Sequence, residues 1–145
     1  WKPRPPASRR SIAAPTPDAA RAVRARIDMR LPVPPSVNHA KGFNRETGAV
    51  FRRRHYKRWI KEAGLEFIAV RSSLACKGLP TAPYGFRVRW PEGMRADADN
   101  PLKQLCDFLV LMRITPDDSL CRHISVGFSP SLPPGTCLVR VWSIT

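Results

Sequence analysis

The sequence predicts an α+β domain, a mixed β-sheet with two helices packed on one face. Three observations lead there. Alternation of apolar and polar residues marks two stretches, Val23 to Val33 and Tyr84 to Trp90. Two other stretches carry apolar residues at three- and four-residue spacing. Strands and helices interleave along a chain of 145 residues, the size of one domain.

The elements follow in order. Residues 1–21 hold Pro3, Pro5, Pro6, Pro15 and Pro17 beside Arg4, Arg9 and Arg10, with few large apolar groups. Such a segment buries too little surface to offset its ordering entropy, so it reads as a disordered basic arm. A DNA-tracking tail and an added extension both fit it. Residues 22–145 form the folded domain. Val23, Ala25, Ile27, Met29, Leu31 and Val33 alternate with Arg24, Arg26, Asp28 and Arg30, which predicts a half-buried strand ended by Pro32, Pro34 and Pro35. A loop through Asn38 leads to a hairpin around Glu46-Thr47-Gly48.

A helix comes next. Tyr56, Trp59, Ile60, Ala63, Phe67, Val70 and Leu74 share its apolar stripe. Tyr84, Phe86, Val88 and Trp90 alternate with Arg87 and Arg89 in a further strand. A second helix is expected from Pro101 to about Arg113, with Asn100 as N-cap and proline at the first helical position. Its apolar arc is Leu102, Leu105, Cys106, Leu109 and Met112, with Lys103, Gln104 and Asp107 outside or at the edge. Two strands, Leu120 to Phe128 and Cys137 to Ile144, close the chain around a proline-rich turn.

Charge narrows the function. The chain has 25 basic and 11 acidic residues, a net charge of +14 and a pI near 11.0. That balance points to a polyanion, with DNA and RNA foremost. A membrane span is not expected, because the longest apolar run, Phe108 to Met112, is far short of the roughly 18 residues a span needs. The proline- and arginine-rich start also lacks the apolar core of a secretory signal. Cys76, Cys106, Cys121 and Cys137 form no CxxC pair, and read as free thiols of a cytoplasmic protein rather than as zinc ligands. The leading edge of the first helix, Arg52, Arg53, Arg54, Lys57, Arg58 and Lys61, is a dense basic patch suited to DNA phosphates.

Against this background two acidic clusters stand out: Asp97 and Asp99 in Arg95-Ala96-Asp97-Ala98-Asp99-Asn100, and Asp117 and Asp118 after Pro116. In an extended segment, residues two apart point to the same side, so Asp97 and Asp99 can converge. A carboxylate from Asp117 or Asp118 would complete a site for a divalent cation. Lys103, one turn beyond Asn100, can reach the same cavity. This donor set suits metal-assisted phosphodiester hydrolysis. The blander readings also stand: Asp99-Asn100-Pro101 as a helix cap, and Pro116-Asp117-Asp118-Ser119 as a turn.

Asp97-x-Asp99-Asn100-x-x-Lys103, Asp107 and Asp117-Asp118-Ser119, taken with Pro34-Pro35-Ser36-Val37-Asn38 near the start, resemble the RusA family of Holliday junction resolvases over about residues 25–145. The resemblance implies a homodimeric, Mg²⁺-dependent endonuclease, with Mn²⁺ as a substitute, that nicks four-way DNA junctions in pairs. It makes Asp97, Asp99 and Asp118 metal ligands, Asp117 a supporting acid and Lys103 the catalytic lysine. Asn38, Asn100 and Asp107 take supporting positions, and Arg95 joins the DNA contacts. It implies branched DNA as partner, a cytoplasmic or nucleoid location, and neither membrane nor small-molecule cofactor. Leu120 departs from the glutamine that many members carry there, and the basic arm exceeds the family's compact pattern. A non-catalytic basic DNA- or RNA-binding module is the competing class; it explains the charge but leaves the clustered aspartates unexplained.

Overall fold

The computed structural model describes residues 25–36, 41–94 and 101–144. The strands are β1 (Arg26–Pro32), β2 (Lys41–Phe43), β3 (Val50–Arg52), β4 (Tyr84–Pro91), β5 (Cys121–Ser129) and β6 (Thr136–Ser143). The helices are α1 (Arg54–Arg71) and α2 (Leu102–Leu111), with a single 3₁₀ turn, Asp118–Leu120, leading into β5. This is the α+β architecture expected. The basic arm of residues 1–21 lies outside the described residues.

Four strands form one sheet in the order β1-β6-β4-β5, and β2 and β3 form a separate hairpin. β6 runs antiparallel to both β1 and β4, whereas β4 and β5 are parallel and joined through α2. Alternation sorts the side chains onto two faces. Ile27 pairs with Val141 and Val141 with Phe86; Met29 pairs with Val139 and Val139 with Val88. All of these are buried under the helices, together with Leu31 and Trp90. The opposite face carries Arg26, Asp28, Arg30, Arg87, Arg89, Leu138 and Arg140.

α1 lies on the β1 side and is buried through Tyr56, Trp59, Ala63 and Phe67. The Trp59 indole N–H donates to the Pro32 carbonyl at 2.7 Å, tying the helix to the end of β1. Edge-to-face contact between Trp59 and Phe108, 5.2 Å between ring centroids, joins the two helices.

Three expectations need correction. α1 ends at Arg71, where Ser73 donates both its N–H and its hydroxyl to the Val70 carbonyl, so Leu74 lies past the helix and is 97% exposed. α2 starts at Leu102 with Pro101 in the N-cap position; its carbonyl accepts the Leu105 N–H, and Asn100 lies outside the described residues. The arc of α2 is also turned. Phe108 is fully buried against Trp59, and Gln104, expected outside, is buried with Oε1 unpartnered.

Candidate functional site

Lys103 stands on the first turn of α2. Its side chain is 64% exposed and meets Asp107, one turn on, at 3.7 Å. A pair at this spacing on an open surface contributes only about 0.3–0.5 kcal/mol, so it orients the ammonium more than it stabilises the fold.

The second acidic cluster is reached by a sharp reversal after α2. Arg113 takes a left-handed conformation, φ 56°, and the N–H groups of Ile114 and Thr115 both donate to the Leu109 carbonyl. Ile114 and Thr115 are buried and hold the returning chain down. Asp117 follows in extended conformation and accepts the Ser119 N–H at 2.8 Å, capping the 3₁₀ turn. Asp117 therefore does the turn work that the blander reading assigned to it. The Ser119 N–H holds its carboxyl below the ordinary range, helped by the Ser119 hydroxyl and by the adjoining Asp118 carboxyl. Asp118 is exposed beside it.

Cys106 shows that these pieces are close in space. Burial pushes its thiol up to about 11, and the fields of Cys121, Asp107 and Asp118 add to the shift while Lys103 opposes it. Lys103 and Asp107 stand on α2, which packs against the 3₁₀ turn that begins at Asp118. The basic patch adjoins the same face. Tyr56, on the first turn of α1, stacks on Trp59 and has the Arg52 guanidinium 5.8 Å from its ring centroid. Burial raises the Tyr56 hydroxyl's pKa; Arg52 lowers it and Asp107 raises it. Tyr56 thus carries an arginine of the basic patch on one side and the core tryptophan on the other.

The patch itself is electrostatically unfavourable for the isolated protein. Arg52, Arg53, Arg54, Lys57, Arg58 and Lys61 are all exposed, and the first turn of α1 contains no acid. Positive side chains crowd the positive end of a helix dipole, where acids would stabilise it. Phosphates placed there would reverse the sign of that interaction.

Asn38, Arg95, Asp97, Asp99 and Asn100 lie outside the described residues. Among the described residues no group of three or more histidines, cysteines or acids is arranged to hold a metal ion. A full ligand set would thus need Asp97 and Asp99. Asp117 and Asp118 fit such a set chemically: exposed, all-oxygen donors with adjoining carboxyls, as Mg²⁺ prefers. No protein-family model matches the chain, and no curated protein matches it significantly. Among the described residues no helix is long and apolar enough to cross a membrane.

Proposed function

We propose that the chain is a metal-dependent endonuclease of branched DNA, of the RusA type that its motifs resemble. One observation supports this most: Lys103 pairs with Asp107 on α2, and α2 packs both on the 3₁₀ turn of Asp118 and, through Phe108 and Trp59, on the helix with the basic start. A catalytic acid cluster beside a phosphate-binding patch is what a phosphodiester hydrolase needs.

Asp118 and Asp117, with Asp97 and Asp99, would hold Mg²⁺ or Mn²⁺. The bound ion would neutralise charge on the phosphate under attack. Lys103 would place its ammonium against the same phosphate, oriented by its ion pair with Asp107. The exposed basic residues from Arg52 to Lys61, with Arg95, would hold the DNA arms through their backbones, reading shape rather than sequence.

Two matched cuts in a junction of approximate twofold symmetry call for a C₂ homodimer. β5 supports that expectation. It is an edge strand of the sheet, and it leaves Ile124, Val126 and Phe128 largely uncovered on one face. The work of such an enzyme lies with chromosomal or phage DNA in the cytoplasm.

Asp118→Asn and Asp97→Asn test the assignment. Each should abolish cleavage while junction binding is kept or tightened, because a negative charge near phosphate is removed. Cleavage by either variant at the wild-type rate would refute it.

A further inference from the structure

The face of the sheet turned away from the helices carries a charge pattern that the endonuclease reading leaves unused. Arg140 of β6 lies directly opposite Arg87 of β4, and Arg89 stands two residues further along β4. Like charges directly opposite across a sheet are destabilising. Asp28 relieves only the Arg140 side of this pair. Its carboxylate accepts from Arg140 and also ion-pairs with Arg26 at 3.2 Å. Arg87 and Arg89 have no carboxylate partner among the described residues. Arg30, also on this face, borders a different cleft together with Glu62 and Glu66.

Arg87, Arg89 and Arg140 line a cleft of about 160 Å³, floored by Leu138. The neighbouring strand is cut away to make room. A Cβ on Gly127 would come within 2.6 Å of an Arg89 guanidinium nitrogen, so Arg89 lies down across β5 over that glycine. Beside the cleft, Trp142 covers Gly85 and meets His123 at 5.5 Å between ring centroids.

We propose that this open sheet face is a second nucleic-acid-binding surface, in which Arg87, Arg89 and Arg140 take backbone phosphates. Guanidinium forks match phosphate oxygens in pairs. Arg87 and Arg89 are spaced roughly 6.6 Å apart along β4 and so can take separate oxygens or phosphates. The aromatic pair offers a flat apolar neighbour to a sugar or a base. A lipid surface fits less well: the arginines line a cleft, and Trp142 and Leu138 are half-buried rather than projecting. The inference rests on the chain binding nucleic acid, not on its cutting it.

The test is fluorescence anisotropy with a labelled four-way junction and a linear duplex, in EDTA, over a range of salt. The Arg87→Gln/Arg89→Gln variant should lower the slope of log affinity against log salt by about 2. Between about 50 and about 200 mM salt the wild type should then lose about twelvefold more affinity than the variant. Gly127→Ala keeps the charge but displaces the Arg89 guanidinium, and should lower the slope by about 1. It serves if the double variant does not fold, as judged by circular dichroism. Arg71→Gln removes a charge from the last turn of α1, on the helix side of the sheet, and should leave the slope unchanged. Three results would overturn the proposal: a wild-type slope in folded Arg87→Gln/Arg89→Gln, an equal drop per charge in the Arg71→Gln control, or wild type that binds phosphatidylglycerol vesicles but no DNA. An arginine-dependent slope without cleavage on adding Mg²⁺ would sink the nuclease reading and leave this one standing.

Discussion

The two faces of the central sheet are built from the same three strands, yet they answer to different pressures. Toward the helices, Ile27, Met29, Phe86, Val88, Trp90, Val139 and Val141 are buried in matched cross-strand rows. On the other side the same strands place Arg87 against Arg140 and leave one acid, Asp28, to serve two arginines. The first face obeys the chemistry of folding. The second works against it, because a solvated face selected only for stability would alternate charge signs. The start of α1 repeats the pattern, with cations at the wrong end of a helix dipole. Where local charge opposes stability at two separate places in a chain of net charge +14, an anionic partner accounts for both.

This contrast can be broken by substitution. The largest effect should come from the covered face. Trp90→Ala removes a fully buried side chain and should cost about 3–5 kcal/mol, measured by denaturant unfolding. A loss below about 1 kcal/mol would mean that the core is not packed as described.

Alkaline pH should act next. Burial raises the Cys137 thiol to about 12 and Cys106 to about 11, both above the ordinary value of 9.0. The unfolded chain then loses these protons first. The stabilisation is whole below about pH 9 and is lost as pH rises through the folded values. The unfolding midpoint should therefore fall between about pH 9 and pH 11, and Cys106→Ser should flatten part of that fall.

On the open face, Asp28→Ala leaves Arg26 and Arg140 without their carboxylate and should cost about 1 kcal/mol, since both arginines remain partly solvated. Arg87→Gln should do the opposite. Relief of its repulsion with Arg140 should raise stability by a few tenths of a kcal/mol while DNA affinity falls. Arg87→Gln that destabilises the protein instead would return this face to an ordinary structural role. Smallest of all, Lys103→Ala should change stability by less than about 0.5 kcal/mol yet cut turnover by about 10²-fold. Loss of fold would show that the lysine is structural.

Much of the covered face was legible from the chain, because period-two alternation decides which residues of β1 and β4 point inward. The order of the strands was not. β6 inserts between β1 and β4, and β5 is left at the edge, through pairings between residues far apart in sequence. The rotation of α2 escaped for a similar reason: Phe108 is drawn inward by Trp59, some fifty residues away, and Gln104 goes with it. In the candidate site, residue types carried the signal for Lys103, Asp107 and Asp118. Asp117 was legible as either a site acid or a turn residue, and its bond to Ser119 makes the turn role explicit. Arg87 and Arg89 passed as the polar half of an alternating strand, because nothing in their own neighbourhood shows that Arg140 stands opposite.

The central claim is that acidic cluster and basic patch together cut branched DNA. Its most direct test is incubation of the protein with a labelled four-way junction and with linear duplex, with and without Mg²⁺. The account predicts paired nicks on the junction alone, and only with the metal. Junction binding with no cleavage in either Mg²⁺ or Mn²⁺ would contradict it and leave a non-catalytic DNA-binding module.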